Sequence, residues 1–183
     1  GDVYGKSGCE FLLKKLPTIK KEYQIDLVIA NGENSAEGNG ILPGSAELLF
    51  SAGVDVITGG NHSLRRREIY PMLDENSFLL RPANYPNTVP GKGLTIVDLG
   101  YTSVAVINIL GVVYLESMNC PFETADKLIE IVKKAGIKII IVDFHAEATS
   151  EKRAMGFYLD GKVSCLFGTH THIQTADEQI LPN

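Results

Sequence analysis

Residues 137–144, Ile-Lys-Ile-Ile-Ile-Val-Asp-Phe, constrain the fold of this chain more than any other stretch. The run has strand length, is almost continuously apolar and is rich in β-branched residues, as expected of a strand buried on both faces of a parallel sheet. Shorter runs of the same kind occupy residues 25–30 (Asp26 apart), 54–58 and 163–167. Helical patterns separate them. One begins near Ser7, with Phe11, Leu12 and Leu16 on one face and Pro17 as a kink. Others cover residues 43–52, closed by Gly53; 66–76, with Pro71 as a kink; and 124–135, closed by Gly136. Such alternation predicts an α/β fold with a largely parallel sheet. Residues 94–99 and 103–109 read as a hairpin, and the proline-rich stretch 81–93 as a loop. There is no internal repeat or linker, so residues 1–183 are expected to form one domain.

The polar residues collect where these runs stop. The chain has 4 histidines, and each lies just past a predicted strand. His145 follows residues 137–144 directly, His170 and His172 follow 163–167, and His62 follows 54–58 by way of Gly59-Gly60-Asn61. Glu33 and Asn34 come after the strand ending at Ala30, and Asp2 would follow a strand ahead of the chain. In open α/β sheets the carboxyl ends of parallel strands share one crevice, where ligands bind. Asp2, Glu33, Asn34, Asn61, His62, His145, His170 and His172 are therefore expected to converge. Carboxylates, imidazoles and amide oxygens together suit a divalent manganese, iron or zinc ion. The neighbouring glycines (Gly1, Gly32, Gly59, Gly60 and Gly168) allow tight turns and close backbone approach. Taken singly, each piece has a plainer reading, such as a turn at residues 31–34 or a hydrogen-bonded surface imidazole at His62. The coincidence of all of them at strand ends favours a site.

Composition narrows the partners. A net charge of -5 gives no broad basic surface for coating nucleic acid. Cys9, Cys120 and Cys165 are odd in number and far apart. They fit neither a disulfide framework nor a thiolate zinc site, and read as reduced, mostly buried thiols of a cytoplasmic protein. No apolar run approaches the ~20 residues that a membrane span needs, and the opening residues do not read as a secretory signal. No Met opens the chain, and Ile180-Leu181-Pro182-Asn183 closes no element. The expectation is a piece of a longer protein without its first strand and C-terminal part.

The motifs Gly1-Asp2, Asn31-Gly32-Glu33-Asn34, Gly60-Asn61-His62, Asp143-Phe144-His145-Ala146-Glu147 and Gly168-Thr169-His170-Thr171-His172 stand in one order along the chain. In that order they resemble the calcineurin-like metallophosphoesterases. The longer stretches, 31–34, 143–152 and 168–177, are more particularly similar to the YmdB-like branch, described as 2′,3′-cyclic-nucleotide 2′-phosphodiesterases. The resemblance covers essentially the whole chain and implies an αββα sandwich of largely parallel and mixed sheets. It also implies two divalent metal ions, iron or manganese first and zinc next. Asp2, Glu33, Asn34 and His172 would hold one, and Glu33, Asn61, His145 and His170 the other, with Glu33 bridging. His62 would stand outside the metals as general acid or phosphate contact. The wider superfamily carries a histidine two residues after the first aspartate. Tyr4 stands there in this chain, and Asn34 takes over in the YmdB-like branch.

The activity so implied is hydrolysis of a 2′,3′-cyclic nucleotide to the 3′-nucleotide, by hydroxide attack on phosphorus with the 2′ oxygen leaving. Asp143 or Glu147 is expected to orient His145. Residues 65–67, three arginines, read as a solvated helix face, and Arg81 and Asn84 are candidates to line the pocket. Two other readings share this site: a phosphomonoesterase or nuclease on the same two ions, and a metal- and nucleotide-binding regulatory scaffold. RNA ends and a second copy of the chain are the further partners to consider, and a membrane is not one of them.

Overall fold

The computed structural model describes residues 2–183, so the glycine of the expected Gly1-Asp2 turn lies outside the described residues. In chain order come α1 (Gly5–Glu22), β1 (Ile29–Asn31), α2 (Pro43–Ser51), β2 (Val56–Thr58), a 3₁₀ turn (Arg67–Ile69) leading into α3 (Tyr70–Glu75), and β3 (Leu94–Asp98). They are followed by β4 (Ser103–Leu110), α4 (Pro121–Lys134), β5 (Ile139–His145), α5 (Thr149–Tyr158) and β6 (Cys165–Thr169). Strands β1 and β2 pair in parallel. A second sheet runs β3-β4-β5-β6, with β3 antiparallel to β4 and the other neighbours parallel.

Side chains alternate between the two faces of a strand, and this sorts the core into three layers. Val104 and Val106 of β4, with Ile139 and Ile141 of β5, meet Ile29 of β1 and Val56 of β2, so the two sheets pack face to face. The next residues along, Ala105, Ile107 and Ile109 with Ile140, Val142 and Phe144, face the other way. Ala125, Ile129 and Val132 of α4 and Met155 and Leu159 of α5 cover them. On the far side Ile57 packs against Cys9, Leu16, Leu49, Ile69 and Leu73, contributed by α1, α2, α3 and the turn before it. The architecture is an αββα sandwich with mixed sheets.

The layer between the sheets changes character along its length. Two residues beyond the apolar contacts, Ile29 gives way to Asn31, Val56 to Thr58, Val106 to Asn108 and Ile141 to Asp143. All four polar residues are buried, and they meet at the carboxyl ends of their strands. A buried polar group costs free energy unless it is hydrogen-bonded. Among the described residues, every buried side-chain nitrogen and oxygen has a partner.

Several expectations need correction. Helix α1 starts at Gly5 and runs unbroken through Pro17 to Glu22. Its inward stripe is Cys9, Leu12 and Leu16, whereas Phe11 is 61% exposed. Pro71 lies in the first turn of α3, where a missing N–H costs nothing, so it starts that helix rather than kinking it. His145 is the last residue of β5 rather than the first beyond it. Helix α5 was not expected, because only Glu151 and Met155 of its residues are buried and its apolar pattern is weak. The thiols are free as expected, but only Cys9 is buried. Cys120 precedes α4 and Cys165 opens an edge strand, so both are exposed. Among the described residues no helix is long and apolar enough to cross a membrane.

Phe144 is fully buried between β5 and the helices, so Phe144→Ala is expected to cost about 3–5 kcal/mol of unfolding free energy. Ile96→Ala, at a position 45% exposed, should cost less than about 1 kcal/mol. Urea midpoints of the two variants measure the difference.

Candidate metal centre

The eight expected residues come together above this polar layer. Asp2 lies ahead of α1 and Glu33 and Asn34 just past β1. Asn61 and His62 follow β2, His145 ends β5, and His170 and His172 follow β6. Asp2 Oδ2 lies 3.1 Å from His172 Nε2 and 3.2 Å from Asn34 Nδ2. The Asn34 amide nitrogen is also 3.0 Å from Glu33 Oε1 and 3.2 Å from His172 Nε2. A second group forms around His145 Nε2, which lies 3.2 Å from Glu33 Oε1, 3.0 Å from Asn61 Oδ1 and 3.1 Å from His170 Nδ1. Glu33 belongs to both. One ligand atom each from Glu33, His145 and His170 falls within 4.8 Å of the others.

His62 stands at the edge of these groups. Its backbone N–H donates to Glu33 Oε2 at 2.8 Å, and its ring Nδ1 lies 2.8 Å from Asn34 Oδ1. Glu147 meets His170 Nε2 at 2.8 Å, not His145, because His170 turns its other nitrogen inward. Asp143 reaches His145 through Thr169, whose hydroxyl is 2.7 Å from Asp143 Oδ1 and 2.9 Å from His145 Nδ1, and more loosely through the Asn31 amide nitrogen, 3.2 Å from Asp143 Oδ2 and 3.3 Å from His145 Nδ1. Arg81 and Asn84 do not line the site. The Arg81 guanidinium donates to the carbonyls of Pro82 and Pro90, and the Asn84 amide pins Leu110 and Asn119, so both are buried braces of loops. Arg65 pairs with Glu116, and Arg66 lies near Glu37 and donates to the Asn39 carbonyl, as a surface face would.

The backbone is shaped to this end. His170 and His172 have φ of 93° and 53°, in the left-handed region that costs a non-glycine residue about 1–3 kcal/mol. The Asp2 carboxylate accepts the His170 N–H at 3.0 Å and helps to hold that turn. Gly60 is needed for space, since a Cβ there would run into the Glu33 carboxylate and the His145 ring.

Electrostatically the centre gathers lone pairs. Burial pushes the Glu33 carboxyl up, but its hydrogen bond and attraction to His145, with the His62 N–H and ring, outweigh burial and hold it below the usual carboxylate range. Burial pushes His145 down, and Glu33, backed by Asp2 and Asp143, more than reverses this. Asp143 is raised by complete burial despite donors from Thr58, Thr169 and Asn31. Carboxylates, imidazoles and the Asn61 amide oxygen, packed around a space that no Cβ can enter, fit hard or borderline divalent cations, while Asn34 turns its amide nitrogen to Asp2, Glu33 and His172 and its oxygen to His62.

Sequence reasoning assigned no role to Asn31, Thr58, Asn108 or Thr169. The Asn31 amide donates to the Gly59 carbonyl and Asp143, Thr58 donates to Asp143, and Asn108 Oδ1 accepts the Gly59 N–H. The available signal was a polar residue at an inward position of an otherwise apolar strand.

A strand-end cluster of this composition on an αββα sandwich defines a metallophosphoesterase. The model of the YmdB-like protein family matches residues 1–183, and the chain belongs to that family. It is 45% identical, over its whole length, to a 2′,3′-cyclic-nucleotide 2′-phosphodiesterase of Bacillus subtilis, of which it spans 69%. Among solved structures, a hypothetical protein from Thermus thermophilus superposes with a TM-score of 0.93 at 41% identity, over all of this chain and 70% of that one. A novel phosphatase from Mycoplasma pneumoniae gives 0.90 at 36% identity, over all of this chain and 66% of that one.

Gly60→Ala is expected to cost about 1–3 kcal/mol, because the added methyl overpacks the space between Glu33 and His145. Gly44→Ala, in α2 with nothing within 4 Å of an added Cβ, should instead stabilise the fold by up to about 1 kcal/mol. Thermal unfolding of both variants checks the contrast.

Proposed function

We propose that this protein hydrolyses 2′,3′-cyclic nucleotides, releasing the 2′ oxygen and leaving the 3′-nucleotide, with two divalent ions as cofactors. One observation carries the reading: two clusters, Asp2–Asn34–His172 and Asn61–His145–His170, are each joined to one shared carboxylate, Glu33, the first through Asn34 and the second through His145. Asp2, Glu33, Asn34 and His172 are proposed to hold the first ion, and Glu33, Asn61, His145 and His170 the second. Iron and manganese are the preferred ions and zinc the next, since carboxylate and amide oxygens join imidazoles in the donor set. Bound there, the ions would supply charge against the non-bridging phosphate oxygens and generate a nucleophile from water near neutral pH.

The remaining work falls to the chain. Asn34 occupies Nδ1 of His62, so Nε2 is the nitrogen left to donate a proton to the departing 2′ oxygen. The His62 backbone, tied to Glu33, keeps that ring in register with the centre. The similarity to the Bacillus 2′,3′-cyclic-nucleotide 2′-phosphodiesterase supports the cyclic substrate. The Mycoplasma phosphatase supports a second reading, hydrolysis of phosphomonoesters at the same centre. We further propose one domain over residues 1–183, a cytoplasmic setting consistent with three free thiols, and RNA ends and self-association as additional partners.

A substrate panel on the full-length, manganese-loaded protein separates these readings. The expected result is conversion of 2′,3′-cyclic AMP to 3′-AMP; cleavage of monoesters with the cyclic ester untouched would overturn it. His62→Ala is expected to keep its metal and lose about 10²–10⁴-fold in kcat. Glu33→Gln is expected to lose bound metal, measured by elemental analysis after dialysis, because it removes charge from both clusters.

A further inference from the structure

We propose that Thr169 is a positioning residue that fixes which nitrogen of His145 faces the metal centre, relaying to it the buried carboxylate of Asp143. The inference rests on the two-ion reading and deepens it.

Hydrogen-bond direction assigns the two ring nitrogens. Asp143 is fully buried, and three side chains surround its carboxylate: Thr58 and Asn31 at Oδ2, and Thr169 at Oδ1. A carboxylate only accepts, so the single hydroxyl hydrogen of Thr169 is spent on Asp143 at 2.7 Å. The Thr169 oxygen then has only lone pairs to offer His145 Nδ1 at 2.9 Å. The other near neighbour of Nδ1 is the Asn31 amide nitrogen, at 3.3 Å, but its two hydrogens have better partners in the Gly59 carbonyl at 2.9 Å and Asp143 at 3.2 Å. Nδ1 is therefore the nitrogen that carries hydrogen. Nε2 is left facing Glu33, Asn61 and His170, and in the two-ion reading it is the nitrogen whose lone pair would go to an ion.

The pairing of β5 with β6 fixes this contact, because His145 and Thr169 are register partners across the two strands. Thr169 and His145 are both buried, so water does not substitute for the hydroxyl. Glu147 does the equivalent for His170 directly, from a half-exposed position and at the opposite nitrogen. His145 instead depends on a neutral side chain, Thr169, to pass on the effect of a carboxylate. Groups that orient metal-ligating imidazoles typically change metal affinity by about 10–100-fold.

The test compares Thr169→Val, which keeps shape and loses the hydroxyl, with Thr169→Ser, which keeps the hydroxyl, in the full-length protein. Zinc binding is followed by competition with a chelator and by elemental analysis. The expected result is that wild type and Thr169→Ser hold two ions, while Thr169→Val binds one of the two about 10–100-fold more weakly. Nitrogen-15 NMR of the zinc-loaded wild type should show the His145 proton on Nδ1, a reading that needs no variant to fold. Two ions held equally tightly by Thr169→Val, or a proton on Nε2, would overturn the inference while leaving the two-ion reading intact. Wild-type protein that holds neither zinc, manganese nor iron would instead overturn the two-ion reading itself.

Discussion

The structure turns on the parallel register of β4, β5 and β6. Asn108 stands opposite Asp143, and His145 opposite Thr169. Because side chains alternate faces, a slip of one residue in either pairing would carry every inward group to the wrong side. The apolar half of each strand is what forbids that slip. Val104, Val106, Ile139 and Ile141 must meet the other sheet, while Ile107, Ile109, Val142 and Phe144 must meet the helices. Hydrophobic burial in the lower part of the sandwich thereby sets the positions of polar atoms in the upper part.

The upper part is a layered hydrogen-bond network. Asp143 lies at its base, Thr58, Asn31 and Thr169 surround it, and the imidazole of His145 emerges above. Such groups are costly to bury and are stabilised only when each is satisfied. Their burial between two sheets excludes water from one side of the centre, while the loops bearing Asp2, Asn34, His62 and His172 border the other, where His62 and His172 stay partly exposed.

Much of this was legible in the sequence because strands that run in parallel end together. An apolar run followed by glycine and a histidine or asparagine is a strong local signal, and it pointed to Asn34, Asn61, His62, His170 and His172, which the structure brings together with Asp2, Glu33 and His145. The hairpin at Gly100 and the glycine-closed helices were readable for similar local reasons. What the sequence did not disclose depends on distant contacts. Phe11 looks as apolar as Leu12, and only the placement of α1 against β1 and β2 decides which is covered. Arg81 and Asn84 have the chemistry of ligand-binding residues, yet backbone carbonyls claim their donors: those of Pro82 and Pro90 within its own loop for Arg81, and those of Leu110 and Asn119, 26 and 35 residues on, for Asn84. Thr169 was visible as part of a motif, but its role follows from a partner in another strand.

The contact between Asp2 and His172 joins residues 170 positions apart. Closing a loop of that length precedes any gain from the bond itself. The cluster around Asp2 therefore assembles late: its carboxylate has no imidazole beside it until the segment carrying His172, 170 positions further on, has been made and has packed.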